Sequence, residues 1–199
     1  MHHPHPLPHP LTRRRLVALM LTPLALLGPC AALATTACPA VLNHTLPRLQ
    51  DEKPMNLCEH AGKVVLVVNT ASFCGFTGQY KGLEALYAQY RERGLVVLGF
   101  PSNDFSQETG SNKDIAAFCE STYGVKFPMF VKSSVAPGAG RQVNPVFAGL
   151  AQRTGQAPKW NFHKYLISRQ GDAVTSFGTS TDPKDPAFLK ELEKLLKAN

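Results

Sequence analysis

The 199-residue sequence lacks several signatures that would define its chemistry at once. No two of its five cysteines are separated by two residues, which argues against a dithiol isomerase and against a structural zinc site. No glycine-rich phosphate loop or dinucleotide motif is present, so no nicotinamide, flavin or nucleotide cofactor is expected. The chain has one tryptophan and no block of Lys or Arg after residue 15, so it lacks the clustered positive charge that is typical of nucleic-acid binding.

What is present fits one globular domain with a short appendage. Hydrophobic residues make up 44% of the chain and charged residues 18%, which is enough apolar material for one sizeable core. Part of the formal net charge of +7 comes from the consecutive arginines Arg13 to Arg15 near the start. The remainder of the chain is only weakly basic, so its charge does not indicate a polyanionic partner.

The first 34 residues have the organisation of an export signal. The three arginines precede an apolar run at 16–27 and the small-residue stretch 31–34. Pro23 and Pro29 interrupt this region, which favours a cleaved signal over a transmembrane helix. We therefore expect cleavage near Ala34, a domain at 35–199, and an exported protein, periplasmic or secreted, without stable membrane insertion.

Beyond residue 34, apolar runs of strand length alternate with helical patterns. The run from Val64 to Val68 is apolar on both faces, as in a buried central strand. A tight turn around Gly171 predicts that the last two strands are antiparallel. The order predicts an α/β domain with a central mixed sheet, helices on both faces and an N-terminal hairpin. The expected elements are a hairpin within 44–57, strands at 64–68, 95–100, 128–131, 165–167 and 174–177, and helices around 80–90, 111–123, 145–151 and 188–196.

Cys74 follows the first buried strand and precedes the first helix. At such a position, free backbone N–H groups and the positive end of the helix stabilise a thiolate, which is the nucleophilic form of cysteine. Taken alone, a single cysteine is equally compatible with a small buried hydrophobic residue. Position therefore makes Cys74 a candidate nucleophile and does not decide its role.

Four sequence blocks around and beyond Cys74 carry a family resemblance. They are 69–77 (Asn-Thr-Ala-Ser-Phe-Cys-Gly-Phe-Thr), 98–105 (Leu-Gly-Phe-Pro-Ser-Asn-Asp-Phe), 123–128 (Tyr-Gly-Val-Lys-Phe-Pro) and 160–166 (Trp-Asn-Phe-His-Lys-Tyr-Leu). In this order and at about this spacing, they resemble the glutathione peroxidase family over about residues 40–190. The resemblance implies a thioredoxin-like fold.

The resemblance also implies a peroxidase that needs no prosthetic cofactor and no metal. It makes Cys74 the residue that attacks the peroxide bond and places Gln107, Trp160 and Asn161 around it as hydrogen-bond donors. Substrates would be hydrogen peroxide and organic or lipid hydroperoxides. The alternative is a thioredoxin-like redox sensor or binding module, in which oxidation of Cys74 signals to a partner without turnover.

One loop departs from the family's pattern. The family usually has Phe-Gly-x-Gln-Glu-Pro-Gly, whereas this chain has Phe105-Ser106-Gln107-Glu108-Thr109-Gly110. The loop is one residue shorter and lacks the proline. Gln107 remains the best candidate for the amide donor, but its placement beside Cys74 is the weakest of the four assignments.

The thiol that reduces oxidised Cys74 is left open by the sequence. Cys119 lies 45 residues further on, on the helix before the Phe-Pro block, and is a candidate resolving thiol for recycling by a thioredoxin-like protein. It also falls on an apolar stripe with Ile115 and Phe118, which favours a structural role. Glutathione is the other candidate reductant, although no set of basic residues matches a glutathione site.

Two further cysteines lie near the start of the domain. In an oxidising compartment, Cys38 and Cys58 could form a disulfide across 20 residues. A lipid-modified Cys30 or Cys38, or two free thiols, are the alternatives. The short stretch between Val146 and Trp160 has no room for the insertion used by tetrameric family members, so a monomer is expected.

Overall fold

The computed structural model describes residues 1–3, 5, 37–138 and 140–198. The chain divides into two units, residues 1–34 and 35–199, and every helix and strand below belongs to the second. The predicted export signal, with its arginines and apolar run, falls outside the described residues. Within the described ranges, no helix combines the length and the apolar character needed to cross a membrane.

The described residues of the domain form six strands and four α-helices. The strands are β1 (Thr45–Pro47), β2 (Pro54–Asn56), β3 (Val64–Thr70), β4 (Leu95–Pro101), β5 (Lys164–Ile167) and β6 (Val174–Phe177), and the helices are α1 (Gln79–Tyr90), α2 (Asn112–Tyr123), α3 (Pro145–Thr154) and α4 (Pro186–Lys197). The order of the central sheet is β4-β3-β5-β6, with β3 parallel to β4 and antiparallel to β5, and with β5 antiparallel to β6. The mixed sheet predicted from the sequence is confirmed.

The central strand β3 is buried along its whole length because both faces of the sheet are covered. Alternate residues of β3 contribute to two hydrophobic clusters, Val64, Leu66 and Val68 to one and Val65 and Val67 to the other. Helices α1, α2 and α4 bury their apolar residues in the first cluster, and α3 buries its own in the second. Burial on both faces explains why β3 reads as a continuous apolar run.

Helix α2 begins and ends where the sequence predicts. The Ser111 hydroxyl accepts a hydrogen bond from the Asp114 N–H at 3.2 Å, and the Asp114 carboxylate accepts one from the Ser111 N–H at 3.1 Å. This reciprocal capping box fixes the first turn. Gly124 adopts the left-handed conformation, with φ of 63°, and ends the helix. Only Ile115 and Cys119 of α2 are fully buried.

The strand predicted at 128–131 is wrong as a regular element. The segment runs beside the edge strand β4, where the Gly99 N–H donates to the Pro128 carbonyl at 2.9 Å and the Phe130 N–H donates to the Gly99 carbonyl at 3.0 Å. It forms only isolated bridges, from Met129 to Gly99 and from Phe130 to Arg48. Pro128 has no N–H to donate, so a continuous ladder cannot form at that position.

The expected N-terminal hairpin is present. Strands β1 and β2 pair antiparallel, with Leu46 opposite Met55. The structure joins the sulfur atoms of Cys38 and Cys58, whose Cα atoms lie 5.2 Å apart. Because Val41 and Leu42 between them are buried in the second cluster, the link holds the start of the domain against its core.

Candidate active site

Cys74 lies in a series of turns that carries the chain from β3 into α1. The Thr77 hydroxyl accepts a hydrogen bond from the Cys74 N–H at 3.0 Å and lies within donating distance of the Ala71 carbonyl, at 2.9 Å. These contacts fix the backbone on both sides of the cysteine. The Phe76 N–H donates to Cys74 Sγ at 3.4 Å, and a donor directed at sulfur stabilises negative charge there. Cys74 is buried, with 9% of its surface exposed.

Gln107 reaches the Cys74 region in spite of its shortened loop. The Phe73 N–H, next to Cys74, donates to the Gln107 carbonyl at 3.1 Å. The Asn161 side-chain N–H donates to Gln107 Oε1 at 2.8 Å, which joins two predicted site residues across 54 positions of sequence. Ser106 accommodates the short loop by adopting a left-handed backbone, with φ of 57°.

Replacing Ser106 with glycine should stabilise the protein. A side chain in the left-handed region is strained, whereas glycine adopts it freely, so we expect the free energy of unfolding to rise by about 0.5–1 kcal/mol. Urea unfolding measures the change. Ser180→Gly is the control, because Ser180 is an exposed loop residue outside the positive-φ set and should gain nothing. Equal shifts for both variants would contradict this account of the loop.

Asn69, at the end of β3, holds the turn that carries Trp160 and Asn161. Its side-chain N–H donates to the Trp160 carbonyl at 3.1 Å, and its Oδ1 accepts from the His163 N–H at 3.0 Å. Its backbone carbonyl accepts from the Phe162 N–H at 2.7 Å. Sequence reasoning gave Asn69 no role of its own. A polar residue inside an otherwise apolar strand was the signal that could have indicated one.

Two buried basic side chains lie at the same turn. The Lys164 ammonium donates to the Phe162 carbonyl at 2.6 Å, and burial lowers the pKa of this lysine to about 7. Burial also lowers the pKa of His163 to about 4, and its Nε2 lies 2.8 Å from the Ser176 hydroxyl. Phe162 itself has a φ of 59°, so the Lys164 contact helps to hold a strained residue beside Asn161.

Three large aromatic side chains are exposed in the segments that carry the candidate site residues. Phe73 is 67% exposed, Phe76 38% and Trp160 41%, and we call these three residues the aromatic rim. The Trp160 ring packs against Phe105 with centroids 5.4 Å apart. Exposed large apolar side chains are typical of a binding surface.

Cys119 and Glu108 are buried in the same region. Cys119 is 2% exposed on α2, and burial raises the pKa of its thiol to about 11. The Glu108 carboxylate is fully buried and accepts a hydrogen bond from the Ser72 hydroxyl at 3.0 Å. Sequence reasoning missed Glu108, because its partner is 36 residues away in sequence. Among the residues that the structure describes, no three His, Cys, Asp or Glu side chains gather where they could hold a metal ion.

Hydrogen bonds thus bring together the segments that carry Cys74, Gln107, Trp160 and Asn161 at the carboxyl end of β3. Comparison with known proteins bears on the family to which the chain belongs. The glutathione peroxidase family model matches residues 43–151. The glutathione peroxidase-like peroxiredoxin gpx1 of Schizosaccharomyces pombe is 47% identical over 143 residues, covering 69% of this chain and 89% of the yeast protein. The hydroperoxy fatty acid reductase gpx1 of Synechocystis is 45% identical over 157 residues, covering 73% and 90%.

Solved structures extend the comparison to the fold. The crystal structure of Trgpx in its apo form superposes with a TM-score of 0.62 at 32% identity, covering 81% of this chain and 98% of that one. A thioredoxin-like superfamily protein, SPOA0173, superposes with a TM-score of 0.58 at 17% identity, covering 79% and 97%. The thioredoxin-like fold is therefore confirmed. This chain belongs to the glutathione peroxidase family, and it is a thiol-dependent peroxidase that takes its electrons from a thiol reductant and uses no prosthetic group.

Proposed function

We propose that Cys74 is the residue that reduces the peroxide. Its thiolate attacks one peroxide oxygen, so that an S–O bond forms while the O–O bond breaks. The sulfur is oxidised to a sulfenic acid. The leaving oxygen takes up a proton and departs as water or as an alcohol. The Phe76 N–H at Cys74 Sγ supports this assignment, because it stabilises the sulfur anion before attack.

Gln107, Trp160 and Asn161 are proposed to stabilise the leaving oxygen. The hydrogen bond from Asn161 to Gln107 Oε1 is the observation that carries this proposal. With Oε1 engaged, Nε2 is the group of Gln107 that remains to donate to a peroxide oxygen. Neutral donors suit this task, because they stabilise the developing anion without supplying a charge of their own.

The aromatic rim supports organic and lipid hydroperoxides as substrates beside hydrogen peroxide. Its three exposed rings offer apolar surface to the body of a hydroperoxide while Cys74 meets the reactive oxygen. The name of the Synechocystis relative describes that protein as reducing hydroperoxy fatty acids. A single chain without a subunit covering the rim would leave it open to such bulky molecules, and we propose a monomer.

Cys119 is proposed to resolve the oxidised Cys74 by forming a disulfide, which a thioredoxin-like protein then reduces. Both cysteines contribute to the same hydrophobic cluster. Because α2 buries only two side chains fully, its local opening should cost much less than unfolding of the whole domain. Opening also returns the thiol to water, which relieves the burial that raises its pKa.

Replacing Cys119 with serine should abolish turnover with a thioredoxin-like reductant. The variant should still consume one equivalent of hydrogen peroxide and stop at the sulfenic acid, since no second thiol can displace the oxygen. Coupled turnover with thioredoxin, its reductase and peroxide measures the loss.

The control for this variant is Ser121→Ala, which changes an exposed residue on the same helix and keeps both thiols. It should turn over like the unaltered protein. Full turnover by Cys119→Ser with thioredoxin, or faster turnover of the unaltered protein with glutathione, would contradict the proposed donor.

We also propose that the chain is exported and that the bridge between Cys38 and Cys58 forms after export. The arginines followed by an apolar run are the sequence support, and the joined sulfur atoms are the structural support. The bridge ties the segment before β1 to the turn after β2, so it fastens the N-terminal hairpin to the domain.

Removing this bridge should lower stability. A closed loop of this length contributes about 3 kcal/mol by the chain-entropy model, so the variant with both Cys38 and Cys58 changed to alanine should unfold at lower urea. As a control, the same variant is unfolded with and without a reductant. Its urea midpoint should not change, because it has no bridge to lose. Equal urea midpoints for the unaltered protein and the variant would contradict the proposed bridge.

A further inference from the structure

Glu108 is a buried acid to which the peroxide chemistry described above gives no task. Its side chain is fully buried, and its Oε1 has no hydrogen-bond partner. Burying an ionisable group with an unsatisfied oxygen costs free energy. The single hydrogen bond from Ser72 to Oε2 offsets only part of that cost. A functional role for the free oxygen would account for its retention.

The Glu108 carboxyl group interacts with the surroundings of both free thiols of the described chain. Its partner Ser72 is two residues before Cys74. The same carboxyl also interacts electrostatically with the Cys119 thiol. A small cavity of about 60 Å³ separates the Cys74 loop from α2, and its lining includes Ser72, Glu108 and Ile115. Glu108 therefore borders the cavity between the loop that leads to Cys74 and α2, the helix that carries Cys119.

We propose that Glu108 is the general base of the resolving step. This proposal rests on the assignment of Cys119 as the resolving thiol. The Glu108 carboxylate takes the proton from the Cys119 thiol, and the resulting thiolate attacks the sulfenic sulfur of Cys74. The S–S bond forms as the S–O bond breaks, and Glu108 returns the proton to the departing hydroxide, which leaves as water.

Glu108 remains with the Cys74 loop when α2 opens. Its N–H donates to Asn103 Oδ1 at 2.9 Å, and its carbonyl accepts from the Lys132 ammonium at 3.3 Å. Neither Asn103 nor Lys132 belongs to α2. Since Ser72 also lies outside α2, the opening of that helix breaks none of these contacts. Cys119 thus moves toward a base that is already in place.

The environment of Glu108 strengthens its carboxylate as a base. Burial raises the pKa of its carboxyl group, while the Ser72 hydrogen bond and the charge of Lys132 act in the opposite direction. The other titratable groups that face it are Tyr80 from α1 and Cys119 and Asp114 from α2. A general base is most effective when its pKa approaches the working pH.

The test separates oxidation of Cys74 from disulfide formation in the full chain. Reduced protein is mixed with one equivalent of hydrogen peroxide and quenched at intervals with an alkylating reagent, and mass spectrometry counts thiol, sulfenic acid and disulfide. Glu108→Gln should slow disulfide formation about 10²-fold more than it slows the oxidation of Cys74. Glu108→Asp should recover part of the rate, because it keeps the carboxylate.

The pH profile distinguishes a base from a structural residue. In the unaltered protein the resolving rate should rise as Glu108 deprotonates, and Glu108→Asp should keep this rise. Glu108→Gln should lose it and accelerate only in alkali, where Cys119 ionises unaided. Equal slowing of oxidation and resolution, or an unchanged profile in Glu108→Gln, would overturn the proposal for Glu108 alone. If the unaltered protein forms no Cys74–Cys119 disulfide, the assignment of Cys119 fails together with it.

Discussion

Replacing Cys74 with serine should remove peroxidase activity almost entirely. A serine hydroxyl is not ionised at neutral pH and is a poor nucleophile toward peroxide, so the rate should fall by at least about 10³-fold. The exchange of one small side chain for another at a site 9% exposed should leave the fold intact. Stopped-flow oxidation by hydrogen peroxide measures the rate directly, with the single tryptophan, Trp160, as a fluorescent reporter beside the site.

The matched control is Cys119→Ser, which makes the same chemical change at the other free cysteine of the described chain. This variant lacks the proposed resolving thiol and keeps Cys74. It should therefore still react with the first equivalent of peroxide. Retention of rapid oxidation in Cys74→Ser, or its loss in Cys119→Ser alone, would reverse the assignment of the two thiols.

Replacing Asn161 with alanine should slow oxidation of Cys74 by about 10²-fold, which is the usual cost of losing one preorganised donor. The physical reason is that Asn161 holds the Gln107 amide through the 2.8 Å hydrogen bond. Without that bond, the amide can turn its oxygen toward the developing anion. The measurement is the second-order rate of oxidation by hydrogen peroxide.

Asn144→Ala provides the control for this second variant. Asn144 is also buried, but it caps α3 by accepting a hydrogen bond from the Val146 N–H at 3.0 Å, away from the peroxide. Loss of the cap should lower stability by about 1 kcal/mol while the oxidation rate is retained. If Asn161→Ala slows oxidation no more than Asn144→Ala does, the Asn161–Gln107 pair has no part in the reaction.

The helices and strands could be predicted from the sequence where hydrophobic patterns and capping residues determine them locally. The apolar run of β3 and the periodic face of α1 identified their elements, and the Ser111–Asp114 box identified the start of α2. The strand expected at 128–131 shows the limit of this reasoning. This segment has the apolar composition of a strand, but it forms no continuous hydrogen-bond ladder because Pro128 has no N–H to donate.

The candidate site residues could be named from the sequence because Cys74, Trp160 and Asn161 lie in blocks that carry the family resemblance and Gln107 lies in a loop between two of these blocks. Their roles stay a prediction, whereas family membership follows from the comparisons. The long-range contacts that hold them were not predictable. Asn69 meets His163 across 94 positions, and no local pattern encodes that contact. The left-handed backbone at Ser106, which lets the short loop place Gln107 near Cys74, could not be predicted from the sequence either.

The sequence alone could not decide between the two roles considered for Cys119, and the fold was needed. Spacing alone left Cys119 between a structural and a resolving role, and its burial on α2 describes only the reduced state. What the structure adds is that α2 buries only Ile115 and Cys119 fully and that Glu108 lines the cavity between α2 and the loop that leads to Cys74. Together they give the resolving role a physical route.

Peptide mapping after a single oxidation tests the central claim most directly. The reduced full chain is treated with one equivalent of hydrogen peroxide, and the oxidation state of each cysteine is read by mass spectrometry, with Cys74→Ser treated in parallel. We predict that oxidation begins at Cys74 as a sulfenic acid, proceeds to a Cys74–Cys119 disulfide, and does not occur in the variant. A Cys74 that stays reduced while peroxide is consumed would contradict its assignment as the peroxide-reducing residue.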